Sequence, residues 1–434
     1  MRYGKIHTGF GLAAVLALGV AACADVPPIK WESKALPEAQ GKVEIKDGKP
    51  QQIRYKEAPL SGVKPDFSQY RTYTYDDTKP EPAVSKVLMP QSLKGDAAEG
   101  RKIYMNRNIG PCTGCHLVRG DDVWPAGNIG PDHQKLGDAG YSDQELYQMV
   151  YDIRAVYPES IMPPWGTVGI LTPQQVVHVV AFLKTQKGDL PKEKDPARDP
   201  NTRPKPAGFG DNLDPTNNPA IIDAEAAEKA WAAKGPKGKS CADCHMGGVE
   251  KSMKGIATRY PRFVKEHGRI MSVEEFLQMH GPATTGTNLP SESKANLDMT
   301  MLVKLQSNGM NVNIDLTSPE ARSALKRGEA TFHKRVGQRN HACADCHLEE
   351  AGKGGNKFLG GRLLATRDGG LMAHFPLWRT NFTKVWDARK RFQWCMLPLG
   401  MNYLASDSVE YSELELYLTS FSQGKPLTAP GIRH

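Results

Sequence analysis

The chain lacks several features that mark common classes of protein. It has no block of basic residues interleaved with aromatic side chains, so it offers no nucleic-acid-binding signature. Long runs in which polar and apolar residues alternate are also absent, which argues against a large β-sheet and predicts a mainly α fold. Cysteine is scarce, at eight of 434 residues, and six of the eight belong to three copies of one motif.

The motif consists of two cysteines separated by two residues, with a histidine directly after the second cysteine. Both thiols can bond a porphyrin and the histidine can ligate its iron, which is the attachment signature of c-type haem. A zinc site pairs two Cys-x-x-Cys elements within about 20 residues, and a disulfide framework does not require the histidines. The sequence therefore predicts three covalently bound haem c groups and redox chemistry. The copies are Cys112, Cys115 and His116; Cys241, Cys244 and His245; and Cys343, Cys346 and His347.

The N-terminus is typical of an exported lipoprotein. Arg2 and Lys5 precede an apolar stretch at 9–22, which is too short to span a bilayer as a mature helix. Cys23 follows at the position where a bacterial lipobox is cleaved and lipidated; the alternative is an ordinary signal peptide with a chance cysteine. Because haem attachment also requires export, we expect the protein in the periplasm, anchored to a bacterial membrane by lipid.

The remaining sequence divides into segments around the three motifs. Each haem segment opens with a helical pattern before its cysteine pair and closes with another helix. The net charge of +8 suits an anionic substrate or an acidic partner. The predicted fold is mainly α, with three cytochrome c-like haem domains joined by Pro-rich linkers. The predicted boundaries are a signal peptide at 1–22, a tether with a few strands at 23–95, haem domains at 96–187, 224–312 and 313–434, and a linker at 188–223.

The group opposite each motif histidine decides what each haem does, because methionine raises the reduction potential and thiolate lowers it. In the first domain the candidate is Met162, which lies in a proline-stiffened loop. The alternatives are that Met162 is an ordinary core residue or that His133 is the ligand. In the second domain His280 is the preferred candidate, with Met279 and His267 as alternatives.

The third domain contains Cys395, a cysteine assigned neither to haem attachment nor to the lipid anchor. A free cysteine is often a small buried hydrophobe. This one follows three consecutive cations that end at Arg391, and nearby cations favour the thiolate form. Since a thiolate both binds iron and acts as a nucleophile, we expect Cys395 to ligate the third haem and to carry the chemistry.

These motifs resemble those of the SoxXA cytochromes of the bacterial sulfur-oxidising system, also called L-cysteine S-thiosulfotransferase. Residues 95–187 resemble the small subunit, SoxX, and residues 224–434 resemble the large subunit, SoxA, so the chain resembles both subunits fused. The SoxX-like sequences are GRKIY at 100–104, PCTGCH at 111–116, GNIGPD at 127–132 and PESIMP at 158–163. The SoxA-like sequences are MKGIATRYPRF at 253–263, RVGQRNHACADCH at 335–347, FPLWR at 375–379, EYSELELYL at 410–418 and GKPLTAPGIR at 424–433.

The resemblance implies a reaction in which thiosulfate is joined oxidatively to a cysteine on the flexible arm of a carrier protein, SoxYZ. In the family a thiolate, often found as a persulfide, ligates the active-site haem, and that role falls on Cys395. The electrons would pass to the haem of Met162 and then to a soluble cytochrome c. Two other functions fit a cysteine-ligated haem protein: a thiosulfate dehydrogenase that forms tetrathionate, and an electron relay at the membrane.

Two positions depart from the family pattern. The family usually has an arginine five residues after the ligand cysteine, where this chain has Gly400. Arg391 and Arg379 are the candidate replacements for binding a sulfur dianion, since arginine offers a fixed fork of donors; the alternative is that each is solvated or pairs with a haem propionate. In the second domain the family often has a cysteine ligand, and the resemblance aligns His280 with it.

Overall fold

The structure is a computed structural model of the chain. It describes residues 45–46, 49–50, 83–106, 108–110, 112–123, 125–190, 198–203, 218–336, 341–348, 357–396 and 403–433. The lipidation candidate Cys23, the strands predicted near 52–75 and the departure at Gly400 lie outside these residues. Within the described part of the chain, no helix is long and apolar enough to cross a membrane.

Helices dominate the described residues, which confirms the prediction of a mainly α fold. Polar caps set many of the helix starts. Ser142 and Ser272 each form a capping box with a glutamate three residues later, and Thr172 forms one with Gln175. The helices are α1 Ala97–Met105, α2 Cys112–Cys115, α3 Asp143–Asp152, α4 Pro173–Lys184, α5 Ala220–Ala232, α6 Cys241–Cys244, α7 Gly248–Ser252, α8 Val273–Thr284, α9 Lys294–Leu305, α10 Pro319–His333, α11 Cys343–His347, α12 Ala388–Met396 and α13 Val409–Ser420.

Each segment places its opening helix against its closing helix. Helix α1 packs on α4, α5 on α9, and α10 on α13. The crossings are close because small residues lie at the contact: a methyl group on Gly100 would collide with the His178 carbonyl, and one on Gly328 with the Glu413 carbonyl. In the second segment the buried Ala224 and Ala227 of α5 are the corresponding small residues. The three cysteine motifs form the short helices α2, α6 and α11, each of which follows an opening helix.

The strands are short and form small sheets. Strands β3 and β4 pair in an antiparallel hairpin, as do β5 and β6, while β7 pairs with β8 in antiparallel and with β9 in parallel orientation. The sequence predicted none of the hairpins in the haem segments, because strands of two or three residues are too short to display a period of two. The strands are β1 Ile45–Lys46, β2 Lys49–Pro50, β3 Arg262–Val264, β4 Arg269–Met271, β5 Phe358–Leu359, β6 Arg362–Leu363, β7 Leu377–Arg379, β8 Lys384–Trp386 and β9 Gly431–Arg433.

An internal repeat relates the second and third segments. In each, a cis proline is followed by a strand, a short 3-10 turn, a second strand and a helix: β3, β4 and α8 in one, β7, β8 and α12 in the other. The turn ends in a left-handed residue both times, Gly268 with φ of 65° and Thr383 with φ of 48°. The two units are offset by 115 residues without a gap, so that Tyr260 corresponds to Phe375 and His280 to Cys395.

The apolar cores divide the chain differently from the predicted domain boundaries. The first segment has a core of its own, built around Tyr104, Tyr147 and Trp165. The core of the second segment also contains Ala324 and Leu416, which belong to the opening and closing helices of the third. The second and third segments therefore fold around a continuous interior. Helix α5 also begins at Ala220, inside the predicted linker 188–223.

Part of the linker is built into the contact between the first and third segments. Arg203, which is only 7% exposed, donates hydrogen bonds to the carbonyls of Ala126 and Gly360, both at 3.1 Å. Its guanidinium also lies 4.6 Å from the centroid of the Phe358 ring. Asn128 joins the same contact, since its amide N–H donates to the Phe358 carbonyl at 3.1 Å. Residues 198–203 thus connect the first and third segments, and this contact is called the clamp below.

We predict that Arg203→Ala loosens this contact. The substitution leaves buried carbonyl groups without donors, which should cost about 2–4 kcal/mol of interface stability. Amide hydrogen exchange should accelerate at Asn128, Phe358 and Gly360, whose N–H groups bond across the contact. Lys102→Ala is the control, because Lys102 and its partner Glu99 are 71% and 49% exposed, so its loss should leave exchange at the three amides unchanged. Unchanged protection at the three amides in Arg203→Ala would contradict the clamp.

Candidate haem sites and the thiol at Cys395

The first motif opens into an apolar cavity of about 600 Å³. This volume lies within the range typical of pockets for small molecules and cofactors. Cys112, Cys115, His116 and Met162 all line the cavity. The donor set and the apolar lining fit a covalently attached haem.

His116 is oriented for metal binding through one nitrogen. Its Nδ1 donates a hydrogen bond to the Pro131 carbonyl at 2.8 Å, which leaves Nε2 as the lone-pair nitrogen. Gly130 makes room for the ring, since a Cβ there would collide with the imidazole. Burial lowers the pKa of His116, so the neutral, ligating form is favoured.

Met162 and His133, the two candidates for the opposite ligand in the first segment, lie differently. The ring of His133 stacks on that of His116 with centroids 4.0 Å apart and an interplanar angle of 18°. Metal–imidazole bonds are about 2 Å long and the ring radius is about 1.1 Å, so two histidines on opposite sides of one iron have centroids roughly 6 Å apart. His133 in this position leaves no room for iron between the rings, and Met162 is the candidate that the geometry favours.

In the second segment the centroids of His245 and His280 are 6.2 Å apart, close to the spacing expected for two axial histidines. Burial, helped by the charges of His245 and His267, lowers the pKa of His280 to about 4, so its imidazole is neutral. The two alternative ligands, Met279 and His267, line a separate small pocket together with Asp407. Among the described residues, His280 is therefore the candidate that faces the second motif.

In the third segment His347 and Cys395 face each other. The Nδ1 of His347 donates to the Ala365 carbonyl at 2.6 Å, which repeats the orientation of His116. Burial acts to raise the pKa of Cys395, but Arg391, a hydrogen bond with His347 and the charge of Arg362 outweigh it and lower the pKa to about 7. Burial raises the pKa of Cys343 and Cys346 to about 12. Cys395 is thus the thiol of this segment that is electrostatically suited to be a thiolate.

The two units of the internal repeat share one backbone arrangement but place different side chains next to His280 and Cys395. The turn before the ligand carries Phe276 in α8 and Arg391 in α12 at corresponding positions. Phe276 stacks on His280 with centroids 5.0 Å apart, whereas Arg391 supplies a positive charge to Cys395. Residues four apart on a helix share a face, so a change at this position directly alters the environment of the ligand.

Two arginines, Arg391 and Arg362, lower the pKa of Cys395, and the sequence did not indicate Arg362. The Nη1 of Arg391 is buried and lacks a hydrogen-bond partner among the described residues. Arg362 lies on the hairpin β5–β6, exposed to solvent, and also lowers the pKa of Cys395. No sequence signal marks Arg362, because only the hairpin brings it near the thiol. Arg379 is the other arginine that the sequence proposed for anion binding. It is buried in β7, and its guanidinium lies 5.6 Å from the centroid of the Trp386 ring.

The first and third motifs are neighbours in space. Cys346 of the third motif and His341 line the same cavity as Cys112 and Cys115, and Cys115 is close enough to Cys346 to influence its pKa electrostatically. The N–H of Gly360 donates to the carbonyl of Gly114, inside the first motif, at 2.8 Å. The two haem attachment sites therefore share one interior region.

Comparison with known proteins agrees with this geometry. Residues 226–312 and 327–427 match the family model described as SoxA/TsdA, cytochrome c domain, and residues 97–187 match the cytochrome c model. The L-cysteine S-thiosulfotransferase subunit SoxA of Paracoccus pantotrophus is 30% identical over 223 residues, which are 51% of this chain and 73% of that protein. The SoxA subunit of Allochromatium vinosum is 27% identical over 277 residues, 62% of this chain and 93% of that protein.

Among solved structures, the crystal structure of SoxXA from P. pantotrophus matches with a TM-score of 0.46 and 29% identity, covering 50% of this chain and 80% of that chain. The family model, the identity of the SoxA relatives and their coverage agree on one assignment, which confirms the resemblance seen in the sequence. The chain belongs to the SoxXA-type cytochromes, the family of the L-cysteine S-thiosulfotransferases, with a SoxA/TsdA cytochrome c region preceded by a further cytochrome c domain.

Proposed function

We propose that this chain is a triheme cytochrome that conjugates thiosulfate oxidatively to a cysteine of a SoxYZ-type carrier protein. The observation that carries the proposal is the exchange of histidine for a reactive thiol at one position of the internal repeat. His280 and Cys395 correspond, but Cys395 has a pKa of about 7 with Arg391 and Arg362 beside it. A plain electron relay has no obvious need for such a thiol.

Three haem c groups would be held by the three cysteine pairs, one in each of the predicted domains 96–187, 224–312 and 313–434. The residues that would ligate the three irons are His116 with Met162, His245 with His280, and His347 with Cys395. Haem c supplies one-electron transfer when it is bound. The rest of the chemistry belongs to the side chains around Cys395.

In the proposed reaction the Cys395 thiolate and the outer sulfur of thiosulfate form a sulfur–sulfur bond, and two electrons are released. The carrier thiolate then attacks that outer sulfur, the new bond to Cys395 breaks, and Cys395 leaves as thiolate. The net change joins a carrier thiol to thiosulfate with loss of one proton and two electrons, which are accepted by two molecules of oxidised soluble cytochrome c. The nearness of Cys115 and Cys346 supports the first segment as the route by which the electrons leave.

Arg391 and Arg362 are the proposed binders of the thiosulfate anion. Arginine suits a sulfonate-like group because its donors form a fixed fork. The buried Nη1 of Arg391 without a partner supports this role, and Arg362 adds a second charge at the solvent side. These two cations would replace the arginine that the family has at position 400. Arg379 stays a weaker candidate, since its guanidinium lies over Trp386.

The proposed location is the periplasmic side of a bacterial membrane. The signal at 1–22, the lipobox-like Cys23 and the tether 23–95 support a lipid anchor, and haem attachment requires export. A soluble carrier protein and a soluble cytochrome c would both reach an enzyme held there.

A thiosulfate dehydrogenase that forms tetrathionate is the second candidate function. The family model that matches residues 226–312 and 327–427 is described for SoxA and TsdA together, and Gly400 stands where SoxA usually has an arginine. The two functions differ in the second substrate, which is a carrier thiol in one case and another thiosulfate in the other.

We predict that His280→Met raises the reduction potential of one haem by on the order of 0.1 V, because a thioether replaces an imidazole. Potentiometric titration followed by absorption and electron paramagnetic resonance should show one shifted haem and two unchanged ones. Met279→Leu is the matched control and should shift none. A shift in Met279→Leu, or none in His280→Met, would mean that the ligand of the second haem is misassigned.

Replacement of the thiol tests the reaction itself. With thiosulfate, carrier protein and oxidised cytochrome c, the wild type should add one thiosulfate to the carrier for every two cytochromes reduced. Cys395→Ala should lower the rate by about 10³-fold or more, because it removes the nucleophile. Carrier mass spectrometry and cytochrome absorbance measure both products, and haem content checks assembly. Tetrathionate from wild type without carrier modification would favour the dehydrogenase, and electron exchange without either product would favour a relay.

Removal of the proposed anion binders should raise KM for thiosulfate. Arg391→Gln and Arg362→Gln should each lower kcat/KM by about 10- to 100-fold, since each loses a charged hydrogen bond to the substrate. Steady-state kinetics at fixed carrier concentration measures the effect, with Arg327→Gln as an exposed control far from the thiol. If neither variant changes kcat/KM by more than twofold while Arg379→Gln does, the anion site is centred on Arg379 instead.

A further inference from the structure

The helices that carry His280 and Cys395 begin side by side at a buried ionic cluster. Glu275 lies in the first turn of α8 and Arg389 in the first turn of α12, and they form an ion pair at 2.8 Å between Nη2 and Oε2. Their side chains are 2% and 0% exposed. The pair therefore crosses directly from one repeat unit to the other through a dry interior.

Glu275 is fully occupied by this network. Its Oε1 accepts from Arg269 and, at 2.7 Å, from the hydroxyl of Ser412 on α13. Its Oε2 accepts from Arg389 and, at 2.9 Å, from the N–H of Ser272 as part of the capping box. A single carboxylate thus joins the start of α8 to β4, α12 and α13.

Arg389 is occupied in the same way. Besides Glu275 it pairs with Glu415 of α13, and its Nε donates to the Ser406 carbonyl at 3.2 Å. Asp387, directly before the helix, accepts from the N–H of Lys390 at 2.7 Å and caps α12. The first turn of the thiol helix is therefore held by bonds to the second segment, to α13 and to its own cap.

The two repeat units carry opposite charges at one position of this cluster. Glu274 and Arg389 occupy corresponding positions. Glu274 pairs at 3.0 Å with Lys304 of the closing helix α9, whereas Arg389 pairs with Glu415 of the closing helix α13. Two copies of the same unit with the same sign would repel at this contact, so the reversal allows the two helix starts to meet.

A buried ion pair is a weak source of stability, because the desolvation of both charges offsets most of their attraction. What it does provide is a fixed geometry, since both groups are satisfied in one arrangement. From this we infer that Glu275 and Arg389 are positioning residues: they lock the helix of Cys395 to the helix of His280, so that the second segment sets the position of the reactive thiol. The inference rests on the proposed role of Cys395.

The link is short enough to transmit a displacement. His280 follows Glu275 by five residues and Cys395 follows Arg389 by six. At a rise of 1.5 Å per residue, each ligand lies roughly 8–9 Å along a rigid helix from the ion pair. A shift or rotation at the shared helix start therefore reaches both ligands, while Met162 in the first segment lies on a separate element.

The test is Glu275→Gln in the holoprotein, which keeps the acceptor for Ser272 but removes the charge. We expect the paramagnetic resonance signals of the second and third haems to broaden or shift together, and alkylation of Cys395 by iodoacetamide to accelerate at least threefold. The signal of the first haem should stay unchanged and serves as the internal reference. A purely structural pair would lower the melting temperature but leave both signals and the alkylation rate unchanged well below it, and that result would overturn the inference.

Two further variants complete the test if Glu275→Gln fails to fold. Arg389→Lys keeps the charge but cannot reach Glu275 and Glu415 at once, and should give a smaller change of the same kind. Lys102→Gln removes an ion pair with Glu99 in which both side chains are exposed, and it should change neither haem. If Cys395→Ala leaves the third haem signal unchanged, the proposed ligand role fails; if it alters that signal while Glu275→Gln and Arg389→Lys do not, only the present inference fails.

Discussion

The crossing of an opening helix over a closing helix is the constraint on which the rest of this structure depends. At Gly100 and at Gly328 the two backbones approach so closely that no side chain fits between them. Each cysteine motif follows its opening helix after a short connection, and each candidate ligand lies between motif and closing helix. The crossing therefore fixes the ends of the segment that must bring a motif histidine and its opposite ligand together.

The second and third segments show how one frame supports two chemistries. Both units share the strand, turn, strand and helix order, and both motifs have the same five residues. The difference lies on one helical face: Phe276 stacks on His280, whereas Arg391 lowers the pKa of Cys395 against the effect of its burial. An aromatic neighbour suits a neutral imidazole, and a cation suits a thiolate. Two differences at equivalent positions thus separate a site suited to a neutral imidazole from one suited to a thiolate.

The second and third segments are not separate domains, because they share core residues and a buried ion pair. Ala324 and Leu416 of the third segment belong to the core of the second, and the ion pair of Glu275 with Arg389 joins the same two segments through polar contacts. The first segment is attached differently, through hydrogen bonds around Asn128 and through the side chain of Arg203. An apolar interior tolerates few rearrangements, whereas a polar seam of this kind fixes orientation at a modest cost in stability. The fused arrangement keeps the first and third motifs adjacent.

The sequence by itself determined the haem motifs, the helical character and the family, because each of these is recorded in residues that are close together along the chain. It also singled out Met162, His280 and Cys395 as ligand candidates, which stay predictions, and it preferred His280 to His267 and Met279 without excluding them. The structure adds the distance of 6.2 Å between the ring centroids of His245 and His280, which depends on how α8 packs near α6. The short hairpins, the role of Arg362 and the ionic cluster at Glu275 and Arg389 were decided by tertiary structure alone. Glu275 and Arg389 are 114 positions apart, and no local pattern records which charged side chain will meet which partner in the interior.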